Sequence, residues 1–307
     1  MLKQGSIASV AVIGAGTLGR QIAAMVAASG RQVVLYDQMP DAAAQAVPRL
    51  RALLSPVIAA GKLDWDLDTV LARIQPVPTL QESVASADLA IEAVREDIAT
   101  KQAVLRAIGE INPHLLLATN SSSIPSSALA NAVSDPGRFV NLHFFSSFWD
   151  RAMVELMSCG ETTPETMATF EAFGNSLGLF TAVVHGESKG YIINRIWRAV
   201  KRESLRVVDE GVADAGTIDR LWAMFWGSSM GPMAMMDEVG LDVVADIEET
   251  YIAVSPDPSD TTNATLRGMV EAGELGQKSG RGFYSYPDPA YTAPGWPRRI
   301  EREPAVK

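Results

Sequence analysis

Ser9-Val10-Ala11-Val12-Ile13-Gly14-Ala15-Gly16-Thr17-Leu18-Gly19 decides how the rest of the chain is read. Its first five residues form an apolar run of strand length, and a helical pattern occupies 17–29. Between them lies G-x-G-x-x-G, and a second strand-like run at 33–36 ends on Asp37, eighteen residues past Gly19. Glycines cluster in many tight turns. A strand before them, a helix after them and an acidic residue at this distance make the turn a dinucleotide fingerprint. Gly14 permits the turn, Gly16 lets the backbone approach a pyrophosphate, and Gly19 lets the helix lie close on the sheet. The helix N-terminus then offers free N–H groups and a positive dipole end to phosphates. Asp37 can accept from ribose hydroxyls and repels a 2′-phosphate, and Gln38 brings no cation for one. NAD is therefore expected in preference to NADP, with Gly14, Gly16, Thr17, Leu18, Gly19, Asp37 and Gln38 in contact with it.

Working outward, further apolar runs of strand length stand at Leu89–Glu92, 115–119 and 139–143, separated by helical segments such as Ile98–Ile111. This alternation predicts a Rossmann-type, doubly wound, mostly parallel sheet covered on both faces. After Gly186 the pattern changes. Ile193, Ile196, Trp197, Val200, Ser204, Val207 and Val208 fall at spacings of three and four, making one stripe of a long helix. Helical patterns continue at 219–226, 233–239 and 243–252, with Gly231-Pro232 and Gly240 as breaks. The reading is an α/β domain over 1–186 and an all-α domain over 187–307, the latter engaged in substrate binding and dimerisation. The Pro-rich end, 286–307, is expected to be a surface tail.

A chain of 307 residues, 47% apolar and 20% charged, has ample material for two cores. Its formal charge of −10 argues against nucleic-acid or anionic-membrane surfaces. The single cysteine, Cys159, and three scattered histidines offer no metal-ligand spacing, so no metal is expected. Lys3 and the apolar stretch after it resemble a secretory signal, but Gly14, Gly16, Gly19 and Arg20 interrupt the run, and a cytoplasmic, membrane-free protein is expected.

Phe139-Val140-Asn141-Leu142-His143 places a histidine at the carboxyl end of a strand, where ligands of open α/β sheets sit. Glu155 follows twelve residues later, within reach by a hairpin-like return. A histidine held in one tautomer by a carboxylate suits alcohol oxidation, in which the ring takes the hydroxyl proton as hydride leaves for a nicotinamide. Spacing alone does not raise this pair above a structural histidine.

The series of motifs is more specific. VIGAGTLG, DLAIEAVRED, TNSSS at 119–123, LHFF around His143, Val154-Glu155, Gly190-Tyr191-Ile192-Ile193-Asn194-Arg195, MGPM near Gly231 and LGQKSGRGFYSY occur in one order. In this series the chain resembles the 3-hydroxyacyl-CoA dehydrogenases over nearly its whole length. The resemblance implies His143 as acid/base, Glu155 as its partner, and Ser122 and Asn194 near the reacting oxygen. It also implies a cofactor site lined by Ala93, Val94, Glu96, Lys101, Asn120, Ser122 and Lys278. Each has an ordinary reading too: Ser122 as a helix cap, Asn194 as a buried hydrogen-bonded amide, Glu96 and Lys101 as a solvated helix face, and Lys278 as a turn cation.

Ser146-Ser147 stand where the family usually has Asn-Pro, followed by the bulky, charged Phe148-Trp149-Asp150-Arg151, and Lys189 replaces a common Pro. Arg49, Arg51 and Lys62 are the cations of 49–62, a region that in the family meets the nucleotide end of CoA; Leu53 and Leu54 stand where polar groups are expected there. The substrate is thus expected to be a 3-hydroxyacyl thioester, with a carrier-bound or free hydroxy acid as the alternative, gripped by Arg151 or Arg198. Lys189 with Asn194 admits a lysine-dependent hydroxyacid dehydrogenase, and the altered loop admits a non-catalytic NAD-binding protein. Trp149, Trp197, Trp222 and Trp226 suit either an acyl pocket or a homodimer interface.

Overall fold

Strands β1 (Ser9–Ile13), β2 (Gln32–Tyr36), β3 (Ile74–Pro76), β4 (Leu89–Glu92), β5 (Leu116–Thr119), β6 (Phe139–Phe144), β7 (Met153–Ser158) and β8 (Phe180–Val184) form one sheet in the order 3-2-1-4-5-6-7-8. The computed structural model describes residues 7–258 and 260–298; Lys3 and the 299–307 part of the expected tail lie outside them. All neighbouring strands run parallel except β6 and β7, which are antiparallel and place His143 directly opposite Glu155. This is the expected doubly wound α/β fold.

The central strands are buried on both faces, which explains their unbroken apolar runs. Val10 and Val12 join the core on one face, with Ile22, Ala23 and Val26 of the helix Thr17–Ala28. Ala11 and Ile13 join the other, with Leu105 and Ile108 of the helix Ile98–Ile111. The same alternation runs along β6: Val140, Leu142 and Phe144 enter the first core, and Phe139 the second. Asn141 and His143 share the face of Phe139 and are buried polar residues in an apolar strand. Besides β7, met in the sequence only as a hairpin-like return, the strands missing from the sequence reading are the two at the edges. β3 carries Gln75 and Pro76 and buries only Ile74, and β8 begins on Phe180, which is 73% exposed.

The chain divides into two units, Met1–Ile192 and Ile193–Lys307. The sequence reading put the change at 186/187. The segment through Ile192 belongs with the sheet because the Tyr191 hydroxyl donates to the Ser121 carbonyl at 2.8 Å and the Ile192 N–H donates to Glu155 at 2.9 Å.

In the second unit the helices Ile193–Asp209, Ala215–Trp226, Pro232–Val239, Leu241–Ile252 and Ala264–Glu271 surround Leu205, Met233, Met236, Leu241, Val244 and Leu266. Two fully buried aspartates organise the loops. Asp219 accepts the N–H groups of Met233 and Ala234 at 2.8 and 2.9 Å, holding the start of Pro232–Val239, and also the Tyr284 hydroxyl. Asp237 accepts Phe283 and Tyr284 N–H and the Tyr286 hydroxyl, at 3.0, 2.9 and 3.0 Å. A Cβ on Gly282 would sit 2.1 Å from the Asp237 carboxylate. The MGPM and LGQKSGRGFYSY motifs are thus built around two buried carboxylates. No helix among the described residues is long and apolar enough to cross a membrane.

Candidate active site

The glycine turn is shaped by close approach. Gly14 has φ +111°, and a Cβ there would lie 2.5 Å from the Ala93 carbonyl oxygen. A Cβ on Gly19 would lie 1.9 Å from the Gly14 oxygen, so the helix reaches the sheet only without one. Gly16 faces open space and caps the helix Thr17–Ala28 with no side-chain acceptor and no acidic residue in the first turn. Its first N–H groups are left for an anion. Asp37 braces the turn, accepting Ala15 N–H at 2.7 Å and Met39 N–H at 2.8 Å. Beyond these strand ends lies a cavity of about 330 Å³, lined by Gly14, Gly16, Asp37, Gln38, Ala93 and Val94 among others. An open glycine cradle, uncapped N–H groups and an acceptor carboxylate beside an apolar wall fit a dinucleotide. Thr17 is exposed and Leu18 half-buried in the first helical turn, and Gly19 is buried beneath them.

Sequence reasoning missed part of this lining: Tyr36, Leu80, Arg95, Thr100 and Val104 also border the cavity. Arg95 had a signal, since it follows directly on Ala93-Val94 at the end of β4.

At the carboxyl end of β6 the register makes the second cluster. His143 Nδ1 lies 2.9 Å from Glu155 Oε2, and His143 Nε2 lies 3.1 Å from the Ser122 hydroxyl. His143 and Glu155 are 3% and 4% exposed. The other oxygen of Glu155 takes the Ile192 N–H. With Nδ1–H donated to the carboxylate, Nε2 carries the lone pair facing Ser122. The arrangement can move a proton at Nε2 while its other nitrogen faces a buried negative charge.

Ser122 does not cap a helix. Its turn is gathered onto Glu96, whose Oε1 accepts the Ser121 hydroxyl at 2.7 Å, Ser122 N–H at 2.9 Å and Ser123 N–H at 2.8 Å. Burial raises the affinity of Glu96 for a proton, but Lys101 and these donors outweigh it and hold the carboxyl below its ordinary range. Lys101 is not on a solvated face. It is wholly buried, 2.9 Å from Glu92 and 3.2 Å from the Asn120 carbonyl, with Glu96 at 3.5 Å. Glu92 in turn accepts from Thr119 at 2.6 Å. The Asn120 side chain accepts Phe144 N–H at 2.8 Å, tying the ends of β5 and β6. Glu96, Lys101 and Asn120 therefore hold the turn at 121–123 and the ends of β5 and β6, and none of the three borders the cavity. Glu92 escaped the sequence reading, although an acidic strand end nine residues before a lysine was its signal.

Asn194 and Lys278 belong to the second unit. Asn194 is partly buried in the first turn of Ile193–Asp209. Lys278 pairs with Asp242. Arg198 is occupied as well, by Glu248 at 2.6 Å and Asp260 at 3.0 Å.

Sheet, glycine cradle and histidine–carboxylate pair define the class as a dinucleotide-dependent dehydrogenase. Residues 9–188 match the NAD binding domain of 3-hydroxyacyl-CoA dehydrogenase, and residues 190–286 match its C-terminal domain. The chain belongs to the 3-hydroxyacyl-CoA dehydrogenase family, oxidoreductases acting on CH–OH with NAD. It is 34% identical to a probable 3-hydroxybutyryl-CoA dehydrogenase of Bacillus subtilis over 282 residues, 91% of this chain and 98% of the relative. The crystal structure of (S)-3-hydroxybutyryl-CoA dehydrogenase from Ralstonia eutropha superposes with a TM-score of 0.85 at 33% identity, covering 92% of this chain and all of that one. A 5-formyl-3-hydroxy-2-methylpyridine 4-carboxylate 5-dehydrogenase of Mesorhizobium japonicum is 33% identical, over 91% of each chain.

Proposed function

We propose that the protein interconverts a 3-hydroxyacyl thioester and its 3-oxoacyl form, with His143 as general base. The observation that carries this reading is the buried line Glu155–His143–Ser122, at 2.9 and 3.1 Å. Gly14, Gly16, Gly19 and Asp37 would hold NAD, which supplies the hydride acceptor when bound. His143 Nε2 takes the proton of the substrate hydroxyl, and Glu155 faces the imidazolium that results. Ser122 and Asn194 hold the reacting oxygen. The first unit carries the cofactor and acid–base groups, and the second dimerises. Leu221, Phe225 and Trp226 on Ala215–Trp226 are 60%, 81% and 64% exposed, which favours a second copy as their cover. The lone thiol of Cys159 fits a reducing cytoplasm.

A second reading keeps the chemistry and changes the handle. Lys62 is paired with Asp150 at 2.7 Å and Arg51 with Asp68 at 2.6 Å, so two of the three cations of 49–62 are already matched. This favours a carrier-bound or free hydroxy acid, and by its name the Mesorhizobium relative acts on a carboxylate that is not a thioester.

NADH oxidation with acetoacetyl-CoA and with free acetoacetate separates the two, with NADPH as cofactor control. Preference for the thioester supports the first reading, and activity on the free acid alone supports the second. His143→Ala should lose about 10²- to 10⁴-fold in turnover; near-normal turnover would remove both.

A further inference from the structure

Three groups of the acid–base line are tied to Tyr191, which the reaction itself does not use. Its ring centroid lies 5.1 Å from that of His143, which also meets Phe145 at 4.5 Å. Its hydroxyl accepts from the Asn141 amide and donates to the Ser121 carbonyl at 2.8 Å. Its own backbone lies in the left-handed region, φ +52°, and the next N–H, that of Ile192, donates to Glu155. Tyr191 is 3% exposed and Asn141 is fully buried.

We propose that Tyr191 is a positioning residue for the acid–base step, acting mainly through the peptide that carries Ser122. This rests on the reading of His143, Glu155 and Ser122 given above. The carbonyl of that peptide, on Ser121, takes the Tyr191 hydroxyl and the Asn141 amide, the latter at 3.2 Å. Its N–H, on Ser122, is taken by Glu96 at 2.9 Å. A peptide gripped at both ends cannot swing about its Cα–Cα axis, and Ser122 Oγ stays 3.1 Å from His143 Nε2. Burial pushes the phenol far above its ordinary pKa, and the charges of Glu96 and Glu155 add to this, so it remains a donor throughout the working range. Glycine would adopt φ +52° freely, whereas a bulky residue is strained there. The position therefore supplies a side chain, and the strained backbone is held by what that side chain grips.

The test is a double-mutant cycle of Tyr191→Phe and Ser122→Ala, measured with NADH on whichever of acetoacetyl-CoA or acetoacetate the unmodified enzyme reduces. Phenylalanine keeps the ring and removes the hydroxyl. We expect Tyr191→Phe to lower kcat about tenfold, the factor carried by roughly one hydrogen bond, with KM for NADH unchanged. In the Ser122→Ala background the same change should cost less than about twofold, because its path is already gone. Asn141→Ala, which removes the other donor to the Ser121 carbonyl, serves if Tyr191→Phe is not folded by thermal melt: its loss in kcat should also shrink below about twofold in the Ser122→Ala background, and an equal loss in both backgrounds overturns the inference. A Tyr191→Phe variant within twofold of the unmodified enzyme overturns the inference. So does an equal loss in both backgrounds, which makes the effect merely structural. His143→Ala is measured beside them: if it retains turnover, or if neither substrate is reduced, the underlying reading has failed whatever Tyr191 does.

Discussion

Glu155→Gln isolates the buried carboxylate without changing its size. In the native site Oε2 faces His143 Nδ1 and Oε1 accepts the Ile192 N–H, both at 2.9 Å. A glutamine amide has two orientations here, and each reverses or loses one contact. With its oxygen on Ile192, the NH₂ faces Nδ1 and donates to it, which moves the ring proton to Nε2 and leaves no base toward the substrate. With its oxygen on Nδ1–H, the NH₂ opposes the Ile192 N–H, and an unsatisfied buried donor costs about 1–3 kcal/mol. In both cases the imidazolium loses its counter-charge. Breaking a buried ion pair by removing one partner costs about 3–5 kcal/mol. Because glutamine retains at least one hydrogen bond, we expect about 2–4 kcal/mol on the barrier, or roughly 30- to 1,000-fold in kcat at 1.36 kcal/mol per decade. The assay is steady-state NADH oxidation, with NADH affinity read separately by fluorescence and folding by circular dichroism. A folded Glu155→Gln protein with native NADH affinity and kcat within threefold would refute the reasoning, since neither tautomer nor counter-charge would then matter to the rate-limiting step.

Three further outcomes follow from other parts of the molecule. Gly19→Ala places a Cβ 1.9 Å from the Gly14 oxygen; we expect about 1–3 kcal/mol of lost stability and at least a tenfold weaker Kd for NADH by titration, and native affinity would show that the helix can retreat without disturbing the cradle. Asp237→Ala strands the Phe283 and Tyr284 N–H groups and the Tyr286 hydroxyl; a loss of about 3 kcal/mol or more in urea unfolding is expected, and a loss under 1 kcal/mol would mean that water replaces the carboxylate. Glu96 is held below its ordinary carboxyl value, so its stabilisation is fully present above the unfolded value and is lost as pH falls through the lowered folded one; the acid decline of Tm should flatten in Glu96→Gln, and identical curves would remove Glu96 from the acid response.

What the sequence showed and what it hid divide along a physical line. The Gly14–Gly19 turn is legible because its chemistry depends on neighbours within eighteen residues, where strand, turn and helix are each local patterns. His143 and Glu155 are named as a pair through the family resemblance and not through their spacing; the antiparallel register that sets them face to face belongs to the structure. Asn141 and Tyr191 were quoted within motifs and given no role. An asparagine inside an apolar strand has no periodic signature, and a positive φ at a tyrosine leaves no mark in the sequence. Lys101 was misplaced as a candidate for a solvated helix face, because a Glu–Lys spacing does not disclose that Glu92 and the Asn120 carbonyl close over the ammonium. The hydrogen bonds that tie Tyr191 and Ile192 to Ser121 and Glu155 are hidden for the same reason, since their partners are distant in sequence.

Cation counting shows where such non-local pairing matters most for function. Under either proposed substrate, both anionic, a chain with formal charge −10 gains from keeping some positive groups unmatched. Read from sequence, Arg51, Lys62, Arg198 and Lys278 all look available. Folded, each faces a carboxylate: Asp68, Asp150, Glu248 with Asp260, and Asp242. Arg49, Arg95 and Arg151 have no ion pair among the described residues, and Arg95 borders the cavity beside Asp37. Lys62 is the informative case, because its partner Asp150 lies in the altered loop whose Phe148 also stacks on Trp65 at 5.3 Å. A thiol ester carrying several phosphates would have to displace Asp150 to recruit Lys62, whereas a small hydroxy acid would not. Asp150→Asn therefore has different consequences under the two readings of the substrate. It should lower KM for acetoacetyl-CoA if the thioester is the substrate, by about threefold for one exposed ion pair near 0.7 kcal/mol. It should leave KM for acetoacetate unchanged if the free acid is.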